Sequence, residues 1–224
     1  RIINGTYAFQ EMLPTEAELT AEFDCTRNTV RRALSMLADE MFVQPIHGKG
    51  VRVIWLKGET DMLGALEEVE SFGEFAKRNN AVASTDVKSF EHLVCTEQLS
   101  RRLGFKVGEE LIRVVRVRSL NGSARQVDHG YFLESIAKGL TPEIAAESIY
   151  DYLEHKRGIK VMASRRTVSV ELANDEDCSY LDLGKYNCVA VMESQSYTSD
   201  GILFEVTHAR THPEIFHYRI NSKR

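Results

Sequence analysis

Apolar residues recur at helical spacing near the start of the chain. Leu19 and Phe23 lie four apart, and Val30, Ala33, Leu34 and Leu37 form a second stripe after a break at Asp24-Cys25-Thr26. Each stripe has its own start signal. Thr15 precedes the first, and Glu18 three positions on completes the spacing of a capping box, so a helix is expected from Glu16. Thr26 is the N-cap available to the second helix. A turn of about three residues joins the two, and the second packs its stripe on the first. From Phe42 the pattern changes: Phe42–Ile46 and Val51–Ile54 read as short strands joined by His47-Gly48-Lys49-Gly50, whose glycines permit positive φ. The expected unit is a helix-turn-helix followed by a hairpin wing.

Periodicity is lost between Trp55 and Ser71, where charge and glycine accumulate as in a linker, placed at 56–70. A second domain follows, beginning between Gly64 and Ser71, so the expected organisation is 1–55, 56–70 and 71–224. Within it Asp86–Val94, Glu110–Leu120, Gln126–Leu133, Lys160–Leu172, Cys188–Thr198 and Ile202–Arg210 read as strands. Thr96–Leu103, Ser148–His155 and Asp175–Asp182 read as helices. Asn121-Gly122 and Asp200-Gly201 are hairpin turns, which imply a mainly antiparallel sheet with helices on one side: an α+β domain.

A length of 224 residues accommodates two cores of ordinary size. The 43% hydrophobic and 27% charged content is that of a soluble protein, and no apolar run approaches the ~18 residues of a membrane span. The chain begins at Arg1 without a methionine or a secretory h-region, and a first helix of the N-terminal domain is expected to be missing. Cys25, Cys95, Cys178 and Cys188 are widely spaced, with no metal-ligand interval, as in the reduced thiols of a cytoplasmic protein. A net charge of -5 argues against nonspecific coating of nucleic acid but leaves room for a local basic face.

That face is expected at the start of the second helix, where Arg27, Asn28, Thr29, Arg31 and Arg32 point away from the apolar stripe. Cations are disfavoured at a helix N-terminus, so the arrangement costs stability but suits phosphates and base edges. Lys49 at the wing tip, with His47 and Arg52 beside it, would reach a phosphate or the minor groove. The strings Leu-Pro-Thr-Glu-Ala-Glu-Leu, Thr-Arg-Asn-Thr-Val-Arg-Arg-Ala-Leu-Ser-Met-Leu and Gly-Lys-Gly, over residues 13 to 54, resemble the winged helix-turn-helix of the GntR family. The resemblance implies that operator duplex DNA is contacted by Thr15, Glu16, Thr26, Arg27, Asn28, Thr29, Arg31, His47, Gly48, Lys49 and Gly50. Thr15 and Thr26 stand where serine is common, and Asn28 occupies a position that tunes operator choice.

In the second domain Arg116 and Arg118 are two apart on one strand, so both guanidinium groups emerge on one face, with Val115 and Val117 on the other. Such a pair suits a phosphate or carboxylate. On spacing alone, a solvated strand face with nearby carboxylates is the simpler reading. Ser148 opens a helix whose free amides would attract an anion, although an N-cap is the commonest role for such a serine. Ser71 precedes another helix start. Arg-Val-Arg-Ser-Leu-Asn-Gly, Asp-His-Gly-Tyr-Phe, Ser-Ile-Tyr-Asp-Tyr-Leu-Glu and Phe-Glu-Val-Thr-His-Ala-Arg resemble the UTRA effector domain of the histidine-utilisation-repressor subfamily. That resemblance implies a chorismate-lyase-like fold and an effector site at Ser71, Arg116, Arg118, Asp128, Ser148, Tyr150 and Glu205. Ser-Ile-Tyr-Asp-Tyr-Leu-Glu beside Asp128-His129-Gly130-Tyr131-Phe132 is similar to trehalose-operon repressors, which implies trehalose 6-phosphate as effector; another metabolite such as an amino sugar phosphate stays open. Thr211 and His212 depart from the subfamily, which often carries an aromatic residue there.

Two function classes remain: a ligand-released repressor, and a lyase on the implied fold. No nucleophile-base spacing or metal motif supports the enzyme, and no catalytic residue or cofactor is assigned. His208 and His212 are expected as exposed or edge-strand histidines. The expected protein is a cytoplasmic homodimer that binds operator DNA and a sugar phosphate.

Overall fold

A computed structural model describes residues 1–56 and 69–218, and the chain divides into two compact units. Most of the expected linker, residues 57–68, lies outside the described residues.

The N-terminal unit contains α1 (Glu16–Glu22), α2 (Arg27–Asp39) and a hairpin of β1 (Val43–Ile46) with β2 (Gly50–Val53). The two helix starts follow the sequence. The Thr15 hydroxyl accepts from the Glu18 amide while Glu18 bonds back to the Thr15 amide, and Thr26 caps α2 through the Thr29 amide. Asp24 takes φ 45° in the intervening turn. Leu19, Val30, Leu34, Val43 and Val53 form the core with Ile2 and Leu13. Ala33 is exposed and Ala38 packs against the core instead. Gly50 is the first residue of β2 rather than part of the loop; its φ of 111° still requires glycine. Residues before Leu13 also belong to this unit: Gln10, Glu11 and Leu13 exchange backbone hydrogen bonds with Val51 and Val53 of β2.

The C-terminal unit is built on a six-stranded antiparallel sheet of β3 (Ala83–Val94), β4 (Glu110–Leu120), β5 (Ser123–Leu133), β6 (Val161–Leu172), β7 (Cys188–Thr198) and β8 (Leu203–Thr211), in the order β3-β4-β5-β8-β7-β6. The β4–β5 turn is tight because Asn121 and Gly122 both take positive φ, so β5 starts at Ser123, three residues earlier than expected. One face carries α3 (Phe72–Arg78), α5 (Pro142–Ala146) and α6 (Ile149–Asp151), which runs on as a π-helical turn over Tyr152–Lys156, while α4 (Glu97–Leu103) meets the other, where Arg102 Nη2 donates to the Tyr131 hydroxyl. Ile112, Val114, Phe132, Ile149, Leu153 and Phe204 fill the larger core. The expectation of helices on one side is corrected: α7 (Asp175–Tyr180) and the segment after it cover the other face, where Leu181 and Leu183 pack on Val115, Val127, Val189 and Val191. The apolar residues of β4 and β5 serve both layers, a pattern that alternation alone does not reveal.

Candidate functional site

Strand parity sends Arg116 and Arg118 of β4, Asp128 of β5 and Glu205 of β8 to one face. In the sheet Arg116 stands directly opposite Asp128. The Asp128 carboxylate accepts from Arg116 Nη2 at 2.6 Å, and from Arg118 Nη2 at 2.9 Å and Nε at 3.2 Å. The solvated strand face anticipated for this pair is therefore corrected: Arg116 and Asp128 are each 3% exposed in their side chains and Arg118 is 14%. Burial by itself would raise the Asp128 carboxyl, but the two guanidinium groups reverse this and hold it at about 2. Burial and the neighbouring Arg116 lower Arg118. Two cations share the Asp128 carboxylate here, and the Glu205 carboxyl lies close enough to interact with both arginines. Arg116 Nε is buried without a hydrogen-bond partner.

Beside this cluster the Tyr150 hydroxyl donates to Glu205 Oε2 at 2.5 Å and lies 3.1 Å from Ser196 Oγ. Burial pushes the Glu205 carboxyl up and the Tyr150 hydroxyl well up. Ser71 and Ser148 are both N-caps, accepting from the amides of Glu74 and Asp151. All seven residues expected at an effector site, Ser71, Arg116, Arg118, Asp128, Ser148, Tyr150 and Glu205, line one cavity of about 170 Å³.

Sequence reading missed part of that cavity. Ser164 and Arg166 of β6 line it, as do Gln126, Phe216 and Tyr218. Ser164 Oγ is buried with no hydrogen-bond partner, so it is an open polar position in the wall. Ser164 and Arg166 have the same two-residue spacing as the arginines of β4, the one local signal that could have drawn attention to them. The Arg118 guanidinium lies 5.1 Å from the centre of the Phe72 ring, which anchors it from α3.

Beside the apolar layer under α7, the opposite face of the sheet carries polar groups that pair with one another. Arg210 bonds Asp177 of α7, with Nε at 2.9 and 3.0 Å, and Glu171 of β6. His129 Nε2 lies 3.0 Å from Glu176. The expectation of exposed or edge histidines is corrected. β8 is a central strand, burial lowers the half-buried His208, and His212 is buried, with Nε2 3.1 Å from the Asp182 carbonyl and Nδ1 accepting from the Glu214 amide. Among the described residues no cluster of His, Cys, Asp or Glu is arranged to hold a metal ion. No described helix is long and apolar enough to cross a membrane, and all four cysteines are free.

On the N-terminal unit Arg27 and Arg31 project from the exposed side of α2, with side chains 68% and 56% exposed. Both bond the Glu16 carboxylate of α1, Arg27 Nε at 2.6 Å and Arg31 Nε at 3.0 Å. These bonds lower the Glu16 pKa. The dipole cost expected of cations at the start of α2 is thus offset across the turn by Glu16. Asn28 is exposed, Thr26 and Thr29 are joined through their hydroxyls at 2.9 Å, and His47, Gly48, Lys49 and Gly50 are exposed on the hairpin.

Residues 1–53 match the description "Bacterial regulatory proteins, gntR family", and residues 78–217 match "UTRA domain". The chain is 31% identical over 218 residues to the HTH-type transcriptional regulator TreR of Bacillus subtilis (strain 168), covering 97% of this chain and 90% of that one. Its fold matches the crystal structure of the possible transcriptional regulator YydK of B. subtilis with a TM-score of 0.73 at 22% identity, over 99% of this chain and 94% of that one. The effector binding domain of the B. subtilis trehalose repressor, TreR, matches with a TM-score of 0.56 at 27% identity, over 63% of this chain and 98% of that one. The winged helix-turn-helix and the antiparallel effector domain are thus parts of one architecture, and the chain belongs to the GntR family of bacterial transcriptional regulators, carrying a UTRA domain.

Proposed function

We propose that this chain is a homodimeric repressor of a sugar-utilisation operon, released from its operator by a sugar phosphate bound in the Arg116–Arg118–Asp128 cavity. The observation that carries this reading is the convergence of two buried guanidinium groups on a single carboxylate. The paired guanidinium groups suit a phosphate, and Arg116 Nε and Ser164 Oγ are donors without partners. Ser71 and Ser148 supply hydroxyls to the phosphate, while Tyr150 and Glu205 face the sugar hydroxyls.

On the DNA side, Arg27, Asn28, Thr29 and Arg31 enter the major groove, with Thr15 and Thr26 holding the helix starts against the backbone. Glu16 orients the two arginines rather than meeting phosphate itself, since a carboxylate there would be repelled. His47, Gly48, Lys49 and Gly50 form the wing contact. Domain limits of 1–55, 56–70 and 71–224 divide the output from the sensor. Operator half-sites about one helical turn apart, ~34 Å, must match the separation of the recognition helices in the dimer. Effector acts by binding one arrangement of the dimer more tightly than the other, and that difference sets the population shift.

Trehalose 6-phosphate is the effector this reading favours, supported by the similarity to TreR and to the effector domain of the trehalose repressor. One observation favours a second reading. A cavity of about 170 Å³ is smaller than the about 300–1,000 Å³ of sites that enclose drug-sized ligands, which suits a monosaccharide phosphate such as an amino sugar phosphate unless the cavity opens. Calorimetric titration with trehalose 6-phosphate, glucose 6-phosphate and N-acetylglucosamine 6-phosphate separates the two. Tightest binding of the disaccharide supports the first, and heat from none of them removes the sugar-phosphate reading.

A further inference from the structure

Strand parity puts a second set of polar side chains on the face of the sheet turned away from Arg116 and Asp128. Arg113 of β4 and Tyr131 of β5 stand directly opposite each other there. A direct cross-strand pair brings the two side chains to about 5 Å of each other at Cβ. From α4, Arg102 Nη2 donates to the Tyr131 hydroxyl at 2.7 Å. All three residues line a cleft of about 590 Å³. Its floor continues from Tyr131 across Val206 and Gln195 to Arg165, which are in register on β8, β7 and β6.

Hydrogen-bonding capacity on the β4 side of this cleft is underused. The Tyr131 hydroxyl accepts from Arg102, and its own proton meets no acceptor among the described residues. Arg102 pairs with no carboxylate among them, although a guanidinium carries five N–H donors. Arg113 reaches only Glu91 of the edge strand β3, at 3.3 and 3.4 Å, and that carboxylate is half exposed. The other acids of the cleft lie against its histidines: Glu176 is 3.0 Å from His129, and Glu193 is 3.9 Å from His208. Arg210 is already bound by Asp177 and Glu171.

We propose that Arg102, Arg113 and Tyr131 form a second anion site, which takes the phosphate group of a small metabolite. Three donors from three elements meet its three terminal oxygens, and Arg113 exchanges the long contact with Glu91 for the ligand. The cleft volume falls within the about 300–1,000 Å³ of sites that hold small molecules, so the organic part of the ligand has room over Val206 and Gln195. The assignment rests on unspent donors rather than on net charge. It faces away from the effector cavity and is independent of the function proposed for that cavity.

The test is calorimetric titration of the full chain with inorganic phosphate, with circular dichroism to verify the folding of each variant. Arg102 is exposed on α4, so Arg102→Ala leaves the core untouched and should weaken binding at this site by roughly tenfold, the loss of a charged hydrogen-bonding partner. Tyr131→Phe should weaken it in the same direction. Arg165→Ala removes a guanidinium from the far side of the same cleft and should leave the affinity unchanged. Phosphate also suits the effector cavity, so Arg118→Ala separates the two: binding that survives Arg118→Ala and is lost with Arg102→Ala belongs to the second site. Phosphate binding that Arg118→Ala removes entirely, with Arg102→Ala indifferent, overturns the second site and leaves the effector reading standing. Equal losses with Arg102→Ala and Arg165→Ala indicate a diffuse positive field and also overturn the assignment, as does a wild type that gives no phosphate heat.

Discussion

Replacing Asp128 by asparagine isolates the electrostatics of the cavity. The carboxylate accepts three hydrogen bonds from Arg116 and Arg118 and is itself buried. Held at about 2 against an ordinary 3.8, it is stabilised in the folded chain by about 2 kcal/mol, at ~1.4 kcal/mol per pH unit. Removing one partner of a buried ion pair also strands the other, which typically costs about 3–5 kcal/mol. Asp128→Asn should therefore lower the stability of the C-terminal unit by between about 2 and 5 kcal/mol at pH 7. A depressed carboxyl pKa contributes stability that is fully present above the unfolded value and is lost as pH falls through the folded one. The gap between wild type and variant should narrow by about 1 kcal/mol by pH 3. Urea unfolding followed by far-ultraviolet circular dichroism, which the sheet dominates, reads this loss. Trp55, the single tryptophan, stacks on Phe42 in the N-terminal unit and provides an internal reference that should not move. Inorganic phosphate should stabilise the variant more than the wild type, because a bound anion replaces the missing charge. A loss below about 1 kcal/mol, or one independent of pH, would refute the reasoning.

Three further substitutions separate the two units. Arg118→Ala should abolish release by effector and leave operator affinity nearly intact, read by gel shift with and without sugar phosphate; a fall in operator affinity would remove Arg118 from the effector site. Arg27→Ala should weaken operator binding by about 1–3 kcal/mol in fluorescence anisotropy and leave effector heat unchanged; unaltered affinity would take it off the contact surface. Glu205→Gln should gain on the wild type as pH rises. A raised carboxyl pKa gives stability that is present below the unfolded value and lost as pH climbs through the folded one, so thermal melts at pH 5 and pH 8 with the same difference would contradict the burial argument.

Legibility in the sequence followed the range of the interactions. Thr15 with Glu18, Thr26, and Asn121-Gly122 act within a few residues, and each stands where its spacing placed it. The resemblance of their motifs singled out seven residues that the fold brings to one cavity. Their burial was not legible, because Arg116 and Arg118 are covered by α3 and the helices after β5, which lie far away in sequence. Ser164 and Arg166 reach the cavity only because β6 returns beside β7, a pairing that no local pattern encodes. The second layer under α7 was hidden for the same reason: Asp177 looks like an exposed acid in sequence and is buried against Arg210 in space. His212 was misread because its partners are backbone groups of Asp182 and Glu214, which sequence patterns do not display.

The central claim is that a phosphosugar in the Arg116–Arg118–Asp128 cavity controls the grip of the winged helix on DNA. It is tested most directly by anisotropy of a labelled fragment from the promoter region of the chain's own gene, preloaded with protein and titrated with trehalose 6-phosphate. The account predicts saturable loss of the complex with the wild type and none with Arg118→Ala. A complex that forms and then persists at every concentration, with this and the other sugar phosphates, would contradict it.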